Sequence, residues 1–347
     1  MSRKMVSLFI ILYTIISSVY SQSSVQAKLL SSELIMNAPP MAASHAATII
    51  ELPGKQLLAA WFGGPFESSP DVTIWMARYD QGKWSQPIQV ADGIVSKTER
   101  YACWNPVLFL TKSNRVMLFY KVGPNPREWW GMMKQSTNGG KTWSAAEQLP
   151  EGILGPIKNK PIQLRTGEIL HPSSTESTDE AVWTIHLEKS DSLGRNWETV
   201  EIECNDFGVI QPTILTYPEG RLQMLSRSKQ NAVISTWSFD NGESWTRLSP
   251  IDVPNPNSGI DAVTLRNGLQ VLVFNPTRQG KDWSAGRNKL AVTISVDGYY
   301  WREIYTLENN ASGEYSYPAV IQTSDGLVHI VYTADRKNIK HVVLKIS

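Results

Sequence analysis

Six polar residues stand at the starts of six similar apolar segments: His45, Asn105, Lys160, Gln211, Asp261 and Tyr315, at intervals of 60, 55, 51, 50 and 54 residues. Lys158 precedes Lys160 by two positions, so in an extended strand both ammonium groups face one side. Brought together, these side chains suit an acidic sugar. Lysines hold a carboxylate, histidine titrates near neutrality, tyrosine exchanges a proton, and amides bond hydroxyls. Other polar stretches add to the same neighbourhoods: "RYACWNPVLF" with Trp104 and Asn105, "HPSSTES" with His171 and Glu176, and "VPNPNSGIDAV" with Asn257 and Asp261. Trp129 and Trp130 in "PREWWGM" offer aromatic faces for sugar rings.

The elements that must position these residues are legible as repeats. A turn recurs as "STNGGKTW" at Ser136, "SDSLGRNW" at Ser190, "SFDNGESW" at Ser238 and "SVDGYYW" at Ser295, with an eroded "RYDQGKW" at Arg78. Its Asp or Asn bonds nearby backbone N–H groups, its Gly supplies a positive φ, and its Trp packs under the turn. Each turn follows an apolar–turn–apolar segment, from "HAATIIELPGKQLLAAWF" to "YPAVIQTSDGLVHIVYT". Six such units predict an all-β fold, a six-bladed β-propeller of four-stranded antiparallel blades, in one domain over residues 23–347. The stretch "AKLLSSELIM" is expected to close the ring against the last blade, which removes an open edge. In that architecture the first strand of every blade lines the central channel, so the six polar starts share one mouth.

The turns and units resemble the sialidase-like, Asp-box (BNR-repeat) propeller superfamily over nearly all of residues 23–347. The resemblance implies a carboxylate clamp of three arginines, a Tyr nucleophile paired with a Glu, and an Asp as acid/base. Arg227 in "LQMLSRS" and Arg287 in "AGRNKLAVTISVDG" match the second and third arginines. Tyr315 matches the tyrosine stretch, and Asp71 in "SSPDVTIW" matches the acidic one more loosely. Two positions depart. His45 stands for the first arginine, and Gln211 stands for the glutamate. A neutral amide cannot take a tyrosine proton. The remaining cations, His45 and Tyr315 suit β-elimination on a uronic acid, in which Arg and Lys neutralise the carboxylate while His45 and Tyr315 divide the proton transfers. The branch this implies processes polysaccharides such as ulvan, by lyase or dehydratase chemistry. Glycoside hydrolysis, of sialidase or rhamnosidase type, and sugar binding without catalysis are the alternatives. His45 and Tyr315 are thus the expected catalytic pair. Arg227, Arg287, Gln211, Lys158, Lys160, Asn105, Asp71, Trp104 and Asp261 are the expected substrate contacts.

Arg3 and Lys4 ahead of the apolar stretch Val6 to Val19 predict a secretory signal over residues 1–22 and a periplasmic or secreted protein. There are 33 Lys+Arg against 32 Asp+Glu and no basic run, which excludes a nucleic-acid or anionic-membrane footprint. Cys103 and Cys204 are read as separate thiols. The sequence contains no metal-ligand spacing, so no cofactor or metal is expected. The expected partner is an acidic oligosaccharide, met by a monomer with no membrane insertion after signal removal.

Overall fold

A computed structural model describes residues 24–282 and 284–347, so the expected signal segment lies outside the described residues. Strands form six antiparallel sheets arranged as a six-bladed β-propeller. The first strands of the blades are Ala43–Glu51, Ala102–Leu110, Ile162–Gln163, Val209–Thr216, Asp261–Thr264 and Tyr315–Gln322. Blade 1 fills its outer position with two short pieces, Lys83–Trp84 and Ile88–Ala91, both paired to Thr73–Asp80. Among the described residues the one helical segment is the turn Pro218–Gly220, and no helix is long and apolar enough to cross a membrane.

The second strands of the blades are buried on both faces because each blade is covered by its neighbours. Leu57–Gly64 and Val116–Gly123 are buried along their whole length, which explains their near-continuous apolar sequence. Leu58, Ile74, Leu108 and Leu118 share one core between blades 1 and 2, while Val273, Ile294, Val320 and Ile330 share another between blades 5 and 6. Each such side chain contributes roughly 1.5–3 kcal/mol when fully buried.

The repeated turn joins the third and fourth strands and docks on the preceding blade. In blade 4, Ser238 Oγ accepts from Gly242 N at 2.8 Å, and Asp240 Oδ1 accepts from Ser244 N at 3.0 Å. Hydrogen bonds to its carboxylate, from the Ser244 hydroxyl first, then the Ser244 amide and the Ser238 hydroxyl, hold Asp240 down at about 2. Gly242 has φ +95°, and a Cβ there would meet Leu170 and Leu187 of blade 3 at 3.1 Å. The turn is therefore a spacer between blades. Cys103 and Cys204 are both free thiols.

The strand Ala27–Leu34 pairs antiparallel with Asn338–Ile346 and completes blade 6. A buried histidine pair stands behind this closure. His329 Nδ1 lies 3.0 Å from His341 Nε2, and His341 Nδ1 lies 3.2 Å from Glu33 and 3.3 Å from Trp84 Nε1. Burial brings both imidazoles down to about 4. The unfolded chain protonates them near 6.5, so their contribution is complete above that value and is lost as pH falls toward 4. The expected outcome is a urea midpoint that drops between about pH 7.5 and about pH 4.5, with a smaller drop in His329→Gln. Equal drops in both proteins would refute this assignment.

Candidate active site

Four of the six inner strands carry the same bulge. The ladder slips between His45 and Thr48, Trp104 and Val107, Ile210 and Thr213, and Ser316 and Ala319. In each, two residues stand opposite one, and the first of the two is left-handed: Ala46 (φ 55°), Asn105 (φ 33°), Gln211 (φ 55°) and Tyr317 (φ 53°). Proline follows in three of them, Pro106, Pro212 and Pro318, and has no N–H to lose from the ladder. Bulges re-aim a side chain next to a site, and a left-handed backbone at non-glycine residues is strain that clusters at functional positions.

Tyr317 is the centre of the resulting cluster. Its hydroxyl accepts from Arg227 Nη1 at 2.7 Å. The same nitrogen lies 3.3 Å from Gln211 Oε1, while Arg227 Nε donates to Asn257 Oδ1 at 2.9 Å. Three cations, Arg227, Arg287 and Lys158, each sit 5.8 Å from the Tyr317 ring centre. The His45 ring lies 4.3 Å from that of Tyr317, and its Nδ1 lies 2.9 Å from Thr333 Oγ1. Burial first, then the positive charge of Arg336, Arg287, Lys158 and Arg227, pushes the His45 pKa well below its ordinary value. The imidazole is therefore neutral at neutral pH.

Glu314 braces the rim. It accepts from Arg287 Nη1 at 3.1 Å, from Arg336 Nε at 2.7 Å and from Ser316 Oγ at 2.7 Å. Burial alone would raise its pKa, but Arg336, Arg287 and Ser316 hold it below the usual carboxylate value. Arg336 also pairs with Glu67 of blade 1. Asp335 and Arg336 both have φ 53° at the tip of the last hairpin, the geometry of a primed turn normally filled by Asn or Gly. The mouth thus gathers Arg227, Arg287 and Arg336 and suits an anion. Guanidinium forks favour a carboxylate.

The residues singled out from the sequence divide into three groups. His45, Gln211, Arg227 and Arg287 come together around Tyr317. Asn105 occupies the equivalent bulge in blade 2. Lys158, Lys160 and Asp261 instead lace the channel across blades. Lys158 Nζ donates to Asn159 Oδ1, Ile260 O and Pro318 O at 2.9, 3.0 and 2.6 Å, and burial, opposed by Asp261, brings it to about 7. Lys160 Nζ pairs with Asp261 Oδ2 at 2.7 Å. Asp261 also accepts from Thr213 Oγ1 at 2.9 Å and Val320 N at 2.8 Å.

Three others stand outside the cluster. Asp71 is exposed on a loop and pairs with Arg100 at 2.6 Å. Trp104 is a core ring between blades 1 and 2, its Nε1 donating to Gly123 O at 2.9 Å. Tyr315 packs at the edge of the blade 5–6 core, with its hydroxyl raised by burial. Strict alternation places Tyr315 and Tyr317 on one face, but the left-handed bulge turns Tyr317 into the mouth. Tyr317, Glu314 and Arg336 escaped the sequence set. For Tyr317 the signal was present: "YP" sits in register with "NP" and "QP" at the other bulges.

Beside the mouth, a pocket of about 520 Å³ is lined by Arg127, Trp129, Trp130, Leu154 and Glu176. Burial raises the Glu176 carboxyl, while Arg227, Arg127 and Lys229 oppose the shift. No cluster of three or more His, Cys, Asp or Glu able to hold a metal exists among the described residues.

Comparison with known proteins gives one family and several relatives. The family model described as BNR repeat-like domain matches residues 55–330. A curated relative, anhydrosialidase of Macrobdella decora, is 27% identical over 230 residues, which is 58% of this chain and 29% of that protein. The chain therefore matches about three tenths of that relative's length. Among solved structures, a protein of unknown function from Dyadobacter fermentans superposes with TM-score 0.73 at 15% identity, covering 93% of this chain and all of that one. The NanB sialidase of Streptococcus pneumoniae superposes with TM-score 0.70 at 13% identity, over 90% of this chain and 70% of that one. At these identities the structural likeness speaks for the fold.

Proposed function

Because the chain belongs to the BNR repeat-like domain family, whose sialidase-like propellers include carbohydrate-processing relatives, we propose that its channel mouth acts on a carboxylate-bearing sugar by β-elimination. One observation supports this above the others. The Tyr317 hydroxyl is bonded to Arg227 at 2.7 Å beside the neutral amide of Gln211, and no carboxylate bonds it among the described residues. A tyrosine without a carboxylate activator is poorly equipped as a glycosidic nucleophile. Among guanidinium groups it is well placed for proton transfer next to a bound carboxylate.

In the proposed step Arg227 and Arg287 hold the uronate carboxylate and stabilise charge developing on it. The Tyr317 oxygen, bonded to Arg227, takes the C5 proton as it gives up its own. The C5–H electron pair forms the C4=C5 bond, the C4–O bond breaks, and the leaving oxygen takes the proton that the Tyr317 hydroxyl gives up, so the tyrosine ends the step as it began. If that oxygen carries a sugar the reaction is a lyase step; if it is a hydroxyl, water leaves. A second reading, glycoside hydrolysis, draws on Glu176, whose raised carboxyl beside Arg227 suits a general acid. The proposed setting is periplasmic or extracellular, from the residues 1–22 pattern alone, with the protein acting as a monomer.

Oligosaccharides containing glucuronate or iduronate provide the test. The expected result is a rise in the ultraviolet absorbance of a conjugated 4,5-unsaturated uronate. New reducing ends without that chromophore would establish hydrolysis instead. Binding without product would leave a sugar-binding module.

A further inference from the structure

The hydrogen bonds around Thr333 determine more about His45 than its presence in the mouth. Thr333 is fully buried. Its Oγ1 has two partners among the described residues: it accepts from Ala46 N at 3.1 Å and lies 2.9 Å from His45 Nδ1. The amide can only donate. The hydroxyl has one proton, and a buried hydroxyl left without an acceptor costs its desolvation. If Nδ1 carried hydrogen, it would donate to Oγ1, and the Thr333 proton would have no acceptor among the described residues. If Nδ1 is bare, Thr333 donates to it, and the Ala46 amide, the hydroxyl and Nδ1 are all satisfied. The second arrangement leaves the imidazole hydrogen on Nε2.

We infer that Thr333 fixes His45 in the Nε2–H tautomer, so that His45 serves the mouth as a neutral hydrogen-bond donor to the substrate carboxylate and not as a base. A bare Nε2 would be needed to accept a proton from carbon, and this ring has none. Nε2 has no protein partner among the described residues and lies on the edge of the ring away from Thr333. The ring itself is wedged between Phe62 at 5.5 Å and Tyr317 at 4.3 Å, so its orientation is set by packing. Its environment keeps it uncharged, since burial and four nearby cations disfavour imidazolium. A neutral imidazole N–H polarising a substrate carbonyl oxygen is an established catalytic device, and a carboxylate oxygen is a stronger acceptor still. Thr333 is a positioning residue in this scheme. The tautomer assignment stands on the bonding pattern alone, whereas the carboxylate as the partner of Nε2 rests on the acidic-sugar reading above.

The experiment is a long-range proton–nitrogen NMR spectrum of the full chain labelled at histidine, with His45 assigned by the signal lost in His45→Gln. The expected pattern at neutral pH is an unprotonated Nδ1 and a protonated Nε2. A protonated Nδ1 overturns the inference whatever the enzyme's reaction. Titration with free glucuronate should then shift the Nε2 resonance selectively. If glucuronate binds by calorimetry yet leaves Nε2 unmoved, the donor role is overturned. If glucuronate and its oligomers do not bind at all, the acidic-sugar reading fails with it, and the tautomer result stands separately. Thr333→Val should convert the single tautomer into a mixture and raise KM for the acidic sugar about tenfold with little change in kcat, and Thr333→Ser should restore both. Equal loss in the Val and Ser variants would mark Thr333 as a packing residue only.

Discussion

Tyr317→Phe will lower kcat on an acidic oligosaccharide by about 10²–10⁴-fold, the range for loss of a positioned proton-transfer group, with little change in KM. The phenol ring stays, so the packing against His45 at 4.3 Å stays. What disappears is the oxygen that Arg227 now bonds at 2.7 Å. Tyr315→Phe, by contrast, removes a hydroxyl at the edge of the core between blades 5 and 6 and should leave kcat within about twofold, as for a substitution remote from the reacting atoms. Steady-state kinetics on the two variants separate the neighbouring tyrosines cleanly. Full activity in Tyr317→Phe would end the proposed mechanism. A large kcat loss in Tyr315→Phe would return the role to the residue first expected from the sequence.

The second large effect concerns stability. Asp261→Ala should destabilise the fold by about 3–5 kcal/mol, the range for removing one partner of a buried ion pair. Asp261 is 1% exposed and ties blade 5 to three others: Lys160 of blade 3, Thr213 of blade 4 and the Val320 amide of blade 6. Its loss takes the counter-charge from Lys160, which keeps one bond, to Ala262 O at 2.9 Å, and strands the buried Val320 N–H. Asp261→Asn keeps one acceptor oxygen, which can serve the Val320 amide and Lys160 while its NH2 faces the Thr213 hydroxyl, so it should cost less. Urea denaturation of the two variants measures the difference. A change below about 1 kcal/mol in Asp261→Ala, the level typical of an exposed pair, would show that these bonds do not hold the channel together.

The fold was legible because its signals repeat. Four strong turns and six apolar pairs at regular spacing report one supersecondary unit, and the same chemistry at Ser136, Ser238 and Ser295 recurs in the bonds observed there. His45 and Gln211 were legible because the repeat places each at the start of an inner strand, and Arg227 and Arg287 because the family resemblance implies their places. The site was less legible where local geometry breaks the repeat. Alternation cannot announce a left-handed tyrosine, so Tyr315 and Tyr317 look equivalent until the bulge is seen. Arg336 sits in a primed turn without the Asn-Gly that advertises one. Trp104 resembled a sugar platform, yet its strand is covered on both faces and the ring has only core to enter. Lys158 reads as a mouth residue, and only contacts 102 and 160 positions away show that it fastens Ile260 and Pro318.

Ring closure has a consequence for synthesis. Blade 6 is finished only when Ala27–Leu34, made before all the other blades, meets Asn338–Ile346, made after them. The mouth straddles that seam: His45 and Glu67 belong to blade 1, whereas Thr333, Arg336 and Tyr317 belong to blade 6. A nascent chain halted before the final hairpin therefore lacks the tyrosine's blade, the threonine that orients the histidine and the arginine that pairs with Glu67. The mouth is thus complete only once blade 6 has closed against blade 1.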